Sequence, residues 1–228
     1  MLFRSLYLLA FGVGLSVFIQ QVPYRGIQIS YVQFIAPSLL AVNIMYNAFF
    51  ETTYASFVRM YYQKTFDAIL ATPLSLEEVI TGEIVWGATK SVIATGLMLG
   101  VVSGFGLVAF PHGLWILPLA FLGGLAFGSI GMVFTGILAS IDLFNLPIFL
   151  FITPMFLFSG TFFPLDNLPA WAQHLAMVLP LTHLVTITRD LAMGHLSGSQ
   201  LWSVAYLTAF TVVFFPLALH TMRRRLIQ

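Results

Sequence analysis

The sequence has no cysteine, and charged residues occupy only 7% of its 228 positions. The first absence excludes disulfides and thiol chemistry. The second excludes an ordinary soluble domain, in which about a quarter of the residues are charged. The G-x-x-x-x-G-K-[ST] phosphate loop is missing, and so is any Gly-Lys pair from which to build one, so energy from nucleotide hydrolysis has to come from another chain. A nucleic-acid partner is excluded as well: neutralising phosphates takes clustered Lys and Arg, whereas the net charge is +1 and the basic cluster is Arg223-Arg224-Arg225. His174 and His183 lack the close helical spacing of a zinc motif, so no metal site is expected.

What the chain has is apolar length. Hydrophobic residues make up 59% of it and the mean hydropathy is +0.96. Crossing the hydrocarbon takes roughly 20 mostly apolar residues in a helix. Six runs qualify, at about 5–22, 31–58, 84–110, 114–140, 143–163 and 201–220. The first is read as an uncleaved span, because Phe18 to Pro23 offers no small-residue cleavage site. With a cytoplasmic N-terminus, Arg4, Arg59, Lys64, Lys90, Arg223, Arg224 and Arg225 fall inside and Arg25 and Arg189 outside, so the positive-inside rule places both termini in the cytoplasm. The arginine triplet then reads as a topological anchor.

Two stretches escape the up-and-down pattern. On the outer side, Asp166 and Asn167 precede Pro169 as cap-forming residues, which predicts a short helix stopped by Pro180 and a second over about 182–193. Neither can span, so 164–194 reads as a re-entrant helical hairpin. On the inner side, Phe66, Ile69 and Leu70 give a narrow apolar face on a two-turn helix ended by Pro73. Ser75 and Glu78 then form a capping box for the next helix. So short a helix is unstable alone in water and must lie on headgroups or plug into a partner.

Within the spans, Gly96, Gly100 and Gly104 on the third and Gly123, Gly124, Gly128 and Gly131 on the fourth are expected to permit close helix approach. Pro147 and Pro154 are expected to bend the fifth. The second carries Asn43, Asn47 and Glu51 on one stripe, with Tyr46, Phe50 and Tyr54 beside it. A glutamate at membrane depth costs about 2.5–3.5 kcal/mol on insertion scales, so the stripe is either an interhelical hydrogen-bond ladder or the lining of a polar translocation path.

The run from Tyr62 to Ser75, continued by Gly82 to Lys90, resembles the coupling-helix region of ABC-2 (type V) exporter permeases, and is similar to that of the nodulation-factor (lipo-chitooligosaccharide) exporter permeases of rhizobia. Phe158 to Pro169, with Pro180 to His183, resembles the same family's re-entrant region. The resemblance implies an all-α polytopic membrane protein: one domain over 1–228 with six transmembrane helices, a cytoplasmic coupling helix at about 65–72 and an extracytoplasmic hairpin. It implies a homodimer in a bacterial inner membrane, bound to two copies of a separate ATP-binding-cassette ATPase that carries ATP and Mg, this chain holding no cofactor. Lys64, Thr65, Phe66, Asp67, Ile69, Leu70 and Pro73 become the ATPase-coupling residues, with Phe66, Ile69 and Leu70 supplying apolar contact. The cargo implied is an amphipathic glycolipid or lipo-oligosaccharide, with a drug or another lipid as the alternative. One departure is that only Met1 to Arg4 precede the first span, where family members carry an amphipathic helix. A remote reading from another class is an intramembrane serine hydrolase pairing Ser159 with His174 or His183, although Leu157 stands where a nucleophile elbow wants glycine.

Overall fold

The computed structural model describes residues 21–195 and 198–226. The expected first span lies outside them except for its last two positions. Those belong to strand β1 (Gln21–Tyr24), which pairs antiparallel with β2 (Ile27–Ser30), so the membrane protein carries one small hairpin beside its helices. Arg25 and Gly26, both at positive φ, close the two-residue turn.

Helix α1 (Tyr31–Phe50) begins at Ser30, whose side chain caps Gln33 N–H while Gln33 reaches back, a second capping box not foreseen from sequence. The helix continues through two π turns, Glu51–Ala55 and Val58–Tyr62, so the span runs to Tyr62 rather than 58. The hydroxyls give a reason for the wide turns. Thr52 and Thr53 donate to the carbonyls of Ala48 and Phe49, Ser56 donates to Glu51 O, and Thr135 donates to Thr52 O from another helix, all in competition with the α ladder.

The chain then turns a corner at Lys64 (φ 55°), makes the short helix α2 (Thr65–Leu70), and enters α3 (Leu76–Gly104). Both halves of the Ser75–Glu78 box are formed, Ser75 N–H to Glu78 Oε2 at 2.7 Å and Glu78 N–H to Ser75 Oγ at 3.3 Å. The capped helix is itself the third span, which therefore begins eight residues before the expected 84 and ends at Gly104, not 110. A 3-10 turn (His112–Trp115) leads into α4 (Ile116–Ile137). The fifth span, α5 (Ile141–Phe158), is a rod of mixed 3-10, α and π turns, with the π turn directly after Pro147. It stops at Ser159 and Gly160, short of 163.

Helices α6 (Ala170–Val178) and α7 (Pro180–Ala192) meet at 89°. Asp166 and Asn167 lie in a separate 3-10 turn and do not cap α6, whose start at Pro169 has no side-chain cap. Pro180 opens α7 as well as ending α6, since proline lacks the N–H that a first turn leaves unused. The last span, α8 (Ser199–Leu226), extends past 220 and carries the arginine triplet in its final turn.

Helix α1 is the axis of the molecule, covered by α3, α4 and α7, and α4 is sandwiched between α3 and α8. The glycines of α4 make this possible. A methyl group on Gly124 would stand 2.7 Å from Ala88 Cα of α3, and one on Gly131 would collide with Thr52 of the first π turn. Of the third-span glycines, Gly96 would bring a methyl group 3.6 Å from Leu117 of α4, whereas Gly100 and Gly104 have no heavy atom among the described residues within 4 Å of where a side chain would begin. Close approach thus uses α4 against Ala88 and Thr52, not glycine against glycine. For orientation, the end of α1 bearing the β strands is called the hairpin end, and the other, leading into Lys64, the corner end.

Candidate functional site

Along the corner half of α1 runs an open groove of about 470 Å³, lined by Tyr46, Asn47, Phe50, Glu51, Tyr54, Ala55, Val58, Arg59 and Gln63. Helical spacing places Tyr46, Phe50 and Tyr54 one turn apart on one face. Their rings form a ladder, with centroids 5.6 Å apart at each step and Tyr46 and Phe50 within 9° of parallel. Five of the six stripe residues expected from sequence line this groove. Asn43 does not: it is buried, and it accepts from the Asn47 amide at both its backbone oxygen (2.8 Å) and its side-chain oxygen (2.9 Å). The stripe is therefore divided, a hydrogen-bonded rung above and a groove wall below.

Glu51 is the ionic end of the groove and is held on both oxygens, by Arg59 Nη1 and by Lys90 Nζ of α3, each at 2.9 Å. Arg59 also grips Glu83 of α3 through Nε (2.9 and 3.1 Å) and Nη2 (2.5 Å). Ser56 adds a short hydrogen bond to Glu83. Two acids and two bases thus neutralise one another across α1 and α3, which a low-dielectric surround demands. Sequence reasoning singled out Glu51 but counted Arg59 and Lys90 only as topological charges. The overlooked signal was spacing: Glu51 and Arg59 lie eight apart, Glu83 and Lys90 seven apart, so each pair shares a face of antiparallel neighbours.

At the corner, Phe66 is fully buried among Phe57, Met60, Leu76, Val79 and Ile80. This corrects its expected role, because a ring at the centre of that cluster cannot face a partner. Phe66 pins α2 to the body, and Ile69 is half-buried beside it. Leu70, Leu74 and Tyr62 are exposed large apolar side chains around the corner, and Lys64 and Asp67 form a weak exposed ion pair at 3.6 Å. Thr65 is half-buried and Pro73 exposed. Lys64 occupies the left-handed region, which costs a non-glycine residue roughly 1–3 kcal/mol and sharpens the turn into α2.

The last turn of α8 reaches this corner too. Arg225 donates to the carbonyls of Thr135 and Leu138 at the end of α4 and to the Tyr61 hydroxyl at 3.0 Å, and its guanidinium lies over the Phe57 and Tyr61 rings. A cation at a helix C-terminus satisfies otherwise unpaired carbonyls. The triplet is thus more than a topological anchor.

At the hairpin end, Arg189 and Asp190 of α7 are buried together. Arg189 donates to Phe34 O (3.1 Å), Gly160 O (2.8 Å) and Ser38 Oγ, and lies over the Phe34 ring at 3.7 Å. Asp190 accepts from Tyr24 Oη (2.9 Å) and Arg25 (2.7 Å). Burial pushes the Tyr24 phenol upward, partly offset by Arg189. Arg189, counted from sequence only as an outside charge, is also the centre of a knot joining α1, α7 and the loop after α5.

The hydrolase geometry does not form. Ser159 is buried and donates to Met155 O, while His174 bonds Ala170 O and His183 bonds Ser203 Oγ and Met177 O. Among the described residues no cluster of His, Cys, Asp or Glu could hold a metal.

The profile described as ABC-2 type transporter matches residues 2–193. Nodulation protein J of Rhizobium leguminosarum bv. trifolii is 38% identical over 224 residues, 98% of this chain and 84% of that protein. Nodulation protein J of Rhizobium meliloti (strain 1021) is 35% identical over 222 residues, 97% and 83% of the two chains. The probable multidrug ABC transporter permease YbhR of Escherichia coli (strain K12) is 24% identical over 199 residues, 80% of this chain and 51% of that one.

Proposed function

Since the chain belongs to the ABC-2 type transporter family and is a transport permease, we propose that it moves an amphipathic, uncharged glycolipid or lipo-oligosaccharide out of the cytoplasm or inner leaflet. A separate ATP-binding-cassette subunit, carrying ATP and Mg, acts on the corner. The working assembly in this reading is a homodimer with two ATPase copies in a bacterial inner membrane, with the corner end and both termini in the cytoplasm. Outward direction rests on the resemblance to exporters.

The observation that carries the reading is the continuity of groove and corner. The aromatic ladder, the two π turns and the short helix α2 follow one another along one stretch of chain, so a push on α2 acts on the groove wall without an intermediate domain. Leu70 and Leu74 supply the exposed apolar contact, and Phe66 the internal anchor that stops α2 from yielding. The lining also bears on cargo. Both oxygens of Glu51, all three guanidinium nitrogens of Arg59 and the Asn47 amide nitrogen are already engaged by protein partners, leaving ring faces, the Asn47 amide oxygen and the Gln63 amide to meet a guest. Aromatic faces with amides suit the C–H faces and hydroxyls of sugars. A cationic drug, the alternative suggested by YbhR, finds its carboxylate already occupied.

Co-purification with the ATPase and uptake into inverted vesicles test this. ATP-dependent accumulation of a lipo-chitooligosaccharide, with no competition from a lipophilic cation, is expected. Accumulation of the cation alone turns the assignment to the drug-exporter reading.

A further inference from the structure

The neck between groove and corner combines a soft backbone with a hard side-chain link. From Glu51 to Tyr62 the main chain passes through two π turns, wider and less regularly bonded than α turns. A push on α2 through such a segment alone would be absorbed by it. Arg59 bridges the first of these turns. From its place in the second π turn it holds Glu51 at the head of the first, and with two nitrogens it holds Glu83 on the neighbouring helix. The three side chains are largely shielded, at 22%, 10% and 15% exposure, so the forked geometry is little weakened by water. Lys90 differs, because it bonds the other oxygen of Glu51 from higher on α3, stands over Trp86, and is 44% exposed.

We propose that Arg59 and Glu83 are positioning residues for transport: they form the strut that carries a displacement of α2, once it reaches Arg59, across the first π turn to Glu51 and the groove wall. Lys90 neutralises Glu51 without belonging to the strut. The proposal rests on the reading of α2 as the site where the ATPase acts.

The test uses the permease with its co-purifying ATPase in proteoliposomes, with a lipo-chitooligosaccharide as probe. Glu83→Gln is expected to leave ATP hydrolysis within about twofold of normal while flux falls about tenfold or more, and Glu83→Asp, which keeps the charge, recovers much of the flux. Lys90→Gln lowers flux by about threefold or less. Equal flux losses in the Glu83→Gln and Lys90→Gln variants, or flux and hydrolysis falling together, would overturn the strut. A second measurement needs no transport. In nanodiscs, Glu83→Gln in the permease alone should speed amide exchange across 58–72 and leave 180–192 unchanged, and identical exchange in both stretches rejects the proposal. Absence of ATP-driven flux in the unmodified assembly defeats the functional reading instead, and exchange alone then decides the strut.

Discussion

At the hairpin end of α1, Arg189 is 4% exposed and Asp190 fully buried; at the corner end, the Arg59 and Lys90 side chains are 22% and 44% exposed. The partners differ in kind as well. Arg189 is held by backbone oxygens of α1 and of the loop after α5, which cannot rotate away, whereas the corner tetrad is made of side chains meeting side chains. A buried cation fixed to main-chain carbonyls leaves no alternative partner, so separating it strands a charge. In the corner tetrad the Arg59 fork is shielded and Lys90 is the wetter member, the one placed to exchange its partner for water. By this measure the buried knot is more firmly fixed than the tetrad, although Arg225 pins the corner to the end of α4 in the knot's manner.

The sharpest way to break this contrast is Arg189→Met, which removes the centre of the knot and should cost about 3–5 kcal/mol, the usual effect of breaking a buried ionic cluster. It is read as a lowered unfolding midpoint in detergent, and an unchanged midpoint erases the distinction between the ends. Next comes Phe66→Ala, for which loss of a fully buried ring predicts about 3 kcal/mol, confined to the corner. Limited proteolysis within 61–75 should accelerate while the hairpin end stays protected. Charge at the exposed leucines of the corner, Leu70→Asp with Leu74→Asp, should leave the midpoint unaltered and weaken ATPase retention by about tenfold or more, which is about 1.4 kcal/mol. Retained ATPase at full yield removes these residues from the interface. Ser75→Ala deletes half of the capping box and should destabilise the start of α3 by about 1 kcal/mol, visible as faster exchange at Leu76 to Glu78.

The smallest effect concerns pH. Because burial raises the Tyr24 phenol above its ordinary 10.0, its contribution is complete below that value and lost as pH climbs through the higher folded value. Stability should therefore decline in that alkaline range, and Tyr24→Phe should flatten the slope.

Much of this was legible in one dimension. The apolar runs announced the spans because nothing else accommodates about twenty such residues, and the Ser75–Glu78 spacing announced a helix start because only a side-chain oxygen three residues away can reach that amide. The groove was half legible: a period of four aligned Tyr46, Phe50 and Tyr54 with Asn47 and Glu51, and the wall formed there. What failed had a common cause. Phe66 looked like a contact for a partner because periodicity finds an apolar face without saying what covers it, and the protein's own core covers it. Gly100 and Gly104 spelled a packing motif that meets no neighbour among the described residues, whereas Gly124 and Gly131 do. Arg189 read only as a topological charge, because its buried partners come from α7 folding against α1.

The sequence by itself determined a greasy, multiply spanning chain with a short polar corner and no phosphate loop of its own, because hydropathy, helix caps and missing motifs are local properties of the chain. Only the tertiary structure decided which charges meet. Ion pairing needs atoms within about 3–4 Å across different helices, and whether Arg59 meets Glu83 or Arg189 meets Phe34 depends on how residues far apart in order are brought side by side.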